Sequence, residues 1–115
     1  MNEAYTTEMV QFRRRIHKRP EEGWTEFETM NIVVNRLREL GFKVVMGTKA
    51  VNPNFVMGRN PELVAKAMQR AKDHGVSQAF LDETEGYTGC VGTWETGSKD
   101  PVTLFRYDMD CVVVQ

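Results

Sequence analysis

The chain begins with apolar residues at helical spacing. Met9, Phe12 and Ile16 recur three or four residues apart, which is the period of one helix face. Pro20 disfavours helical backbone at the residue before it, so a helix in this stretch should end shortly before the proline. The pattern therefore predicts a first helix between about Glu3 and Lys18.

A second helix is predicted after residue 25. Thr25 and Glu28 have the spacing of a capping box, and Gly41 is placed to end the helix. The apolar stripe between these signals contains Phe27, Met30, Val34 and Leu37. The residues FKVVM, directly after Gly41, predict a short strand.

A third helix follows a loop of residues 47–60, which has turn formers but no period. Loops longer than about 12 residues in a compact domain are often functional or cover another feature. Asn60 and Pro61 are typical of the N-cap and first position of a helix, and Gly75 of its end. The inward-facing positions are Val64, Ala67, Met68 and Ala71.

From Val76 onward the pattern predicts strands, because the apolar period changes to two. The three segments are SQAFLDE, GCVGTWET and PVTLFRYD. We expect two of them to pair as a hairpin across Gly97 to Pro101. The order of helices and strands indicates an α/β or α+β fold.

The composition is that of one ordinary globular domain, with 115 residues of which 41% are hydrophobic and 27% charged. A chain of this size buries roughly two-thirds of its unfolded surface, which suffices for a core without disulfides or metal. We therefore expect a single domain over residues 1–115.

The overall charge argues against binding to nucleic acid or to an anionic membrane, because fifteen basic and sixteen acidic residues give a net charge of -1. The run RRRIHKR is a local exception, and a nucleic-acid contact is one interpretation of it. A solvated or ion-paired helix face is favoured, because four acids follow within nine residues: Glu21, Glu22, Glu26 and Glu28.

The chain shows no sign of export or membrane insertion. The first residues, MNEAYTTEMV, contain no basic stretch leading into an apolar run, and no run approaches the ~18 apolar residues of a membrane span. Cys90 and Cys111 lie far apart in apolar runs, which favours buried thiols over a disulfide framework. A reducing cytoplasm is the expected compartment.

Few residues offer catalytic chemistry. Neither His17 nor His74 belongs to a metal-binding pattern such as His-Glu-x-x-His, so His17 is interpreted as a helix-face residue and His74 as a favourable residue at a helix C-terminus. No serine has a Gly-x-Ser-x-Gly frame, and Cys90 has no histidine near it in sequence.

The strongest candidate site is FRYDMD, in which Asp108 and Asp110 alternate with Met109. In an extended strand both acids would point the same way, with Cβ atoms roughly 6 to 7 Å apart. Ligands of open α/β sheets gather beyond the carboxyl ends of strands, where acids leaving an apolar run lie. A polar strand exit with capping aspartates is the alternative that spacing alone leaves open.

Long motifs also carry a family resemblance. FRRRIHKRPEEGWTEFET contains the pattern His-x-x-Pro-Glu-x-Gly-Trp-x-Glu, and LRELGFKVVMGTKAV and GYTGCVGTWETGSKDPVTLFRYDMD extend the likeness over nearly the whole chain. Together they resemble the N-terminal part of the zinc- or manganese-dependent amidohydrolases and peptidases related to aminoacylase, especially the aminobenzoyl-glutamate subfamily. The resemblance implies an α/β fold, the N-terminal portion of a three-layer helix/mixed-sheet/helix metallopeptidase catalytic domain.

The resemblance also implies roles for three residues. In the wider family a strand ends in His-x-Asp, whose histidine binds metal and whose aspartate orients a metal-bound histidine. In the subfamily arginine replaces that first histidine, and here Arg106, Tyr107 and Asp108 occupy the three positions. The resemblance therefore implies that Asp108 is catalytic because it orients a metal ligand. It implies supporting roles for Asp110 and Arg106. No residue is identified as a metal ligand.

The metal ligands and general base of the subfamily come from a Cys-Gly-His-Asp segment, later histidines and a Glu-Glu pair, none of which is in this sequence. We expect zinc or manganese in the full-length family but none bound by this chain alone. The implied substrate is a small-molecule amide joining an acyl or aminobenzoyl group to an amino acid such as glutamate, and we expect this chain alone to be inactive. The alternative is a non-catalytic module that forms a homo-oligomer, or pairs with the missing remainder of the domain, through an exposed sheet edge.

Overall fold

The structure, a computed structural model, describes residues 2–112. Within that range the helices and strands are α1 (Glu3–Lys18), α2 (Phe27–Glu39), β1 (Lys43–Met46), α3 (Pro61–Asp73), α4 (Gln78–Thr84) and β2 (Cys90–Thr93). Two single-turn 3-10 helices, Gly47–Lys49 and Pro53–Phe55, interrupt the loop before α3. None of the helices described here is long and apolar enough to cross a membrane.

The core lies where α2 packs against α3 and the two strands. Phe27, Met30 and Val34 of α2 have no exposed surface, which confirms the inward stripe predicted for this helix. Burial of each such side chain contributes roughly 1.5–3 kcal/mol, so this face of α2 is a main source of stability. The other buried apolar residues are Met46, Val64, Ala67, Ala71, Val76, Phe80 and Leu81.

The predicted bounds of α1 are confirmed, but the helix lies outside the core. None of its residues is buried. Phe12 and Ile16 of the predicted stripe are half-buried, whereas Met9 is exposed. The helix begins at Asn2, whose side chain accepts a hydrogen bond from the N–H of Ala4 at 2.9 Å. Packing of α1 is therefore looser than that of α2.

The predicted start and end of α3 are also confirmed. The side chain of Asn60 accepts hydrogen bonds from the N–H groups of Glu62 at 3.0 Å and Leu63 at 3.4 Å. Pro61 occupies the first turn, where a backbone N–H would have no partner within the helix, so the missing N–H of proline costs no hydrogen bond. Gly75, directly after the C-cap, adopts a φ of +102°.

The two strands form one antiparallel sheet in which Lys43 is opposite Thr93 and Met46 opposite Cys90. The predicted strand after Gly41 is thereby confirmed. The predicted hairpin across Gly97 to Pro101 is wrong, because β2 pairs with β1 instead.

The segment PVTLFRYD is not a strand, which is a second correction. Its apolar side chains are exposed, including Leu104 at 87% and Phe105 at 71%. Alternating apolar and polar residues are typical of a strand that has one face covered. The part of the chain described here provides no layer on either side of this segment, so the pattern alone does not produce a strand.

A third correction concerns SQAFLDE, which forms the helix α4 rather than a strand. Ser77 caps the helix by accepting a hydrogen bond from the N–H of Phe80 at 3.2 Å. Phe80, Leu81 and Thr84 are buried, and their spacing is that of one helix face. The alternation of apolar and polar residues was too short to distinguish the two periods.

Candidate functional site

The predicted acids lie in an extended segment after β2. Asp108 and Asp110 are both exposed, while Met109 between them is half-buried and packs against the core. Arg106 Nη2 lies 2.8 Å from Asp108 Oδ1. The two groups are exposed, so this ion pair contributes little to stability. The structure therefore brings Arg106 and Asp108 together, on the surface rather than at a buried strand end.

One main-chain hydrogen bond fixes the segment to the turn before α2. The N–H of Cys111 donates to the carbonyl oxygen of Glu21 at 2.8 Å, and Glu22 and Cys111 form an isolated parallel bridge. A Cβ atom placed on Gly23 would lie 3.6 Å from Asp110 Oδ2. The Pro-Glu-x-Gly-Trp-x-Glu turn and the Asp-Met-Asp segment, far apart in sequence, thus form one surface site.

The carboxylate of Glu21 caps α2, which corrects the predicted capping box. Oε1 accepts from the N–H of Thr29 at 2.7 Å and from its hydroxyl at 2.6 Å, and Oε2 accepts from the N–H of Glu28 at 3.2 Å. The hydroxyl of Thr25 instead donates to the carbonyl of Glu22 at 2.7 Å. Glu21 precedes the helix by six residues, and the capping-box spacing does not include such a residue.

Glu26 lies on the inner side of the same site and is 8% exposed. The hydroxyl of Thr88 donates to Glu26 Oε1 at 2.9 Å. Burial raises the pKa of the Glu26 carboxyl above its ordinary value, and the negative charge of Asp110 adds to this rise, whereas the hydrogen bonds to Glu26 oppose it. Glu26 therefore binds its proton more tightly than an exposed glutamate does.

Trp24 completes the turn with an unusual backbone. Its φ is +68°, a left-handed value that is rare for an aromatic residue. The indole N–H donates to the carbonyl oxygen of Met57 at 2.7 Å, which ties the loop before α3 to this turn. The long loop is thus a neighbour of the candidate site.

A second polar cluster surrounds the carboxylate of Glu28 in the first turn of α2. Glu28 Oε1 lies 2.7 Å from His74 Nδ1 and 3.1 Å from Arg19 Nη1, and Oε2 lies 3.7 Å from Arg70 Nε. A groove of about 300 Å³ between α1, α2 and the end of α3 borders this cluster. The sequence assigned His74 to the end of α3, where it is the C-cap, but did not indicate its contact with Glu28. His17 is exposed on α1.

The thiols are not placed for nucleophilic chemistry. Cys90 and Cys111 are both unpaired and half-buried. Burial raises the pKa of the Cys90 thiol, which keeps it in the unreactive protonated form. The two thiols are thus less buried than the sequence predicts, and neither is in a disulfide among the described residues.

The residues of the described range do not fit the zinc or manganese ion that the family resemblance implies. Between residues 2 and 112, no group of three or more histidine, cysteine, aspartate or glutamate side chains is arranged to hold a metal ion. A catalytic zinc site usually has three protein ligands. No step of a reaction is therefore assigned to a metal at this site.

Comparison with known proteins relates this chain to hydrolases. No family model matches it. It is 37% identical over 108 residues to a Haemophilus influenzae homolog of one p-aminobenzoyl-glutamate hydrolase subunit, covering 93% of this chain and 26% of that protein. It is 40% identical over 107 residues to the indole-3-acetyl-aspartic acid hydrolase of Enterobacter agglomerans, covering 91% of this chain and 24% of that protein. The corresponding p-aminobenzoyl-glutamate hydrolase subunit of Escherichia coli is 36% identical over 103 residues, a match that covers 88% of this chain and 24% of that protein.

A solved structure shows the same likeness. The aminobenzoyl-glutamate utilization protein from Klebsiella pneumoniae matches with a TM-score of 0.75 and 34% sequence identity, over 83% of this chain and 24% of that one. The α/β class and the resemblance to aminobenzoyl-glutamate hydrolases are therefore confirmed. The chain spans about a quarter of the length of the curated relatives that it matches.

Proposed function

We propose that the chain forms part of the catalytic domain of an amidohydrolase that cleaves an amide between an acyl or aminobenzoyl group and an amino acid. The observation that carries this proposal is the 36–40% identity to proteins named as hydrolases of p-aminobenzoyl-glutamate and of indole-3-acetyl-aspartic acid. Both named substrates join an aromatic acyl group to an acidic amino acid. That shared chemistry is the substrate class that we propose.

Within this function we assign a positioning role to Asp108, with Asp110 and Arg106 in support. Asp108 is exposed next to Arg106, and its segment is held by the turn before α2. An exposed carboxylate at a fixed position is suited to orient a group brought by another part of the protein. Zinc or manganese, with its ligands and the general base, would come with that other part, and this chain alone would be inactive.

A segment exchange tests this proposal. The matched residues of the E. coli hydrolase subunit, which are 36% identical, are replaced by those of this chain. With zinc or manganese added, we expect the chimera to hydrolyse p-aminobenzoyl-glutamate or indole-3-acetyl-aspartate above a metal-only control. The 115-residue chain alone should not. A folded chimera without activity on either amide would contradict the proposal, and turnover by the isolated chain would contradict its inactivity.

Two variants of the chimera test the assignment of Asp108. Asp108→Asn should lower kcat/KM by about 10- to 100-fold, the usual effect of removing a group that orients a metal ligand. Asp73→Asn is the matched control, because Asp73 is exposed on α3 and, among residues 2–112, its side chain accepts a hydrogen bond only from Gln69 of the same helix. Equal activity of both variants would remove Asp108 from the proposed site.

The second candidate function is a module that pairs through residues 102–107. A specific observation favours it: four apolar side chains of this segment are at least 71% exposed, namely Val102, Leu104, Phe105 and Tyr107. Phe105 and Tyr107 stack with ring centroids 6.4 Å apart. We propose that a second copy of the chain covers them when the rest of a catalytic domain does not. The names of two relatives describe hydrolase subunits, which is compatible with an assembly.

Light scattering over a range of concentrations distinguishes these cases. Self-pairing predicts a dimer that Leu104→Lys dissociates, whereas Leu63→Lys, on an exposed leucine of α3, should leave it intact. A monomer at every concentration would contradict self-pairing.

We also propose that the protein is cytoplasmic. The unpaired thiols Cys90 and Cys111 support this compartment, because disulfides are rare in the reducing cytoplasm.

A further inference from the structure

Glu21 makes two kinds of contact from one nearly buried position. The residue is 4% exposed. Its side chain accepts three hydrogen bonds from Glu28 and Thr29 at the start of α2. Its main-chain carbonyl accepts the N–H of Cys111 at 2.8 Å. One residue therefore connects the core helix to the segment that carries Asp108 and Asp110.

The three bonds to the carboxylate restrict where the backbone of Glu21 can lie. A buried carboxylate at the start of a helix is held by the N–H groups and by the positive end of the helix dipole. α2 itself is fixed by the fully buried Phe27, Met30 and Val34. The position of the Glu21 carbonyl is thus set by a helix whose inner side chains are fully buried.

The register of the acid segment depends on this carbonyl. Met109 packs against the core while Asp108 and Asp110 are exposed. A slip by one residue would expose Met109 and turn an aspartate inward, since neighbouring residues of an extended chain face opposite sides. Apolar packing of Met109 is not directional, whereas the hydrogen bond from Cys111 is.

We propose that Glu21 is a positioning residue: its carboxylate locks the turn before α2, and its carbonyl then fixes the register of residues 108–111 and the placement of Asp108 and Asp110. The importance of that placement rests on the proposed function. The positioning itself does not, because it is a property of the 115-residue chain.

Amide hydrogen exchange of the whole 115-residue chain tests the proposal. In Glu21→Ala, exchange at the N–H of Cys111 should become at least about tenfold faster than the change in global stability accounts for. Asn60→Ala is the matched control, because Asn60 also accepts hydrogen bonds from two N–H groups at a helix start but lies at α3. That variant should leave Cys111 unchanged once global stability is corrected for.

Glu21→Gln keeps the test valid if Glu21→Ala does not fold. Its amide oxygen still accepts from Thr29, but its NH₂ group cannot accept from the N–H of Glu28. We expect intermediate exchange at Cys111. An independent readout is the titration of Glu26, followed by NMR of its carboxyl carbon: release of Asp110 should lower the pKa of Glu26 in both Glu21 variants and not in Asn60→Ala.

Two results would overturn the proposal. One is equal exchange at Cys111 in the Glu21 and Asn60 variants, and the other is an unchanged Glu26 titration when Glu21 is replaced. Either would make Glu21 a helix cap and nothing more. These readouts need no catalysis. If the chimera is inactive but exchange at Cys111 is faster in the Glu21 variants, the proposed function is rejected and the positioning role is kept. If the chimera is active but exchange at Cys111 is unchanged, the proposed function is kept and the positioning role is rejected.

Discussion

Glu28 Oε1 lies 2.7 Å from His74 Nδ1, and this contact joins the first turn of α2 to the end of α3. Arg19 and Arg70 approach the same carboxylate from two other elements. Glu28 is only 8% exposed, so the carboxylate is largely removed from water while its three basic partners remain partly solvated. A single acid thus links α2 to residues that follow α1 and end α3.

Replacing Glu28 should therefore be costly. In Glu28→Gln the charge that faces Arg19, Arg70 and His74 is lost, and we expect the free energy of unfolding to fall by about 1–3 kcal/mol. Glu39→Gln is the matched control, because Glu39 pairs with Arg36 on the exposed side of the same helix. Glu39→Gln should lower the free energy of unfolding by less than about 0.5 kcal/mol. Urea unfolding measures both, and equal losses would contradict a special role for Glu28.

Stability should also depend on pH through Glu26. Its pKa is raised above 4.5 in the folded chain, mainly by burial. Between the unfolded and the folded pKa, the folded chain holds a proton that the unfolded chain has lost, so stability falls as pH rises through this window. Glu26→Gln keeps an acceptor for the hydroxyl of Thr88 and cannot ionise. The variant should therefore gain stability relative to wild type as pH rises, and show no gain at low pH.

Urea unfolding from about pH 3 to about pH 8 measures how the stability difference between wild type and Glu26→Gln changes with pH, because the range spans the titration of glutamate. Asp110→Asn should make this change with pH smaller, because the charge of Asp110 contributes to the raised pKa of Glu26. Glu22→Gln, on an exposed neighbour of the same turn, serves as the control. A constant difference between wild type and Glu26→Gln at all pH values would show that Glu26 has the same pKa in both states.

The sequence predicted the helices whose signals are local. For α3, the Asn60 cap, Pro61 and the inward apolar positions agree with the structure because each depends on residues within the helix or beside it. The partner of β2 could not be obtained in this way, because pairing with β1 depends on a contact across more than forty residues. Strand patterning also misassigned α4, where the buried Phe80, Leu81 and Thr84 belong to one helix face.

The site was predicted in part for a similar reason. The acids at 108 and 110 were found because they lie together in sequence. The sequence indicates Glu21 only as one of the acids that follow the basic run, because its carboxylate acts on N–H groups seven and eight residues away and its carbonyl on a residue ninety positions later. The Pro-Glu-x-Gly-Trp-x-Glu motif contained the signal, but only the fold shows what Glu21 contacts.

Two glycines with left-handed backbones should respond differently to alanine. Gly58 has a φ of +74°, and a Cβ atom added there would meet nothing within 4 Å. At Gly47, with a φ of +65°, an added Cβ atom would lie 2.9 Å from the carbonyl oxygen of Glu83 and closer still to the Glu85 carboxylate. Gly58→Ala should cost about 1 kcal/mol from the backbone alone. Gly47→Ala should cost about 2–4 kcal/mol, because crowding adds to that penalty. Thermal and urea unfolding measure both, and equal costs would contradict the crowding.

The two tryptophans provide a last comparison. Trp24 donates its indole N–H to the carbonyl of Met57, whereas Trp94 is 56% exposed and packs against the ring of Phe42 with centroids 5.3 Å apart. Trp24→Phe keeps an aromatic ring but removes the donor, and should cost about 1 kcal/mol or more in unfolding free energy. It should also speed proteolytic cleavage within residues 52–58, because the Met57 carbonyl loses its tie to the turn that carries the site. Trp94→Phe should leave cleavage of that loop unchanged, and equal cleavage rates in both variants would show that the Trp24 hydrogen bond does not hold the loop.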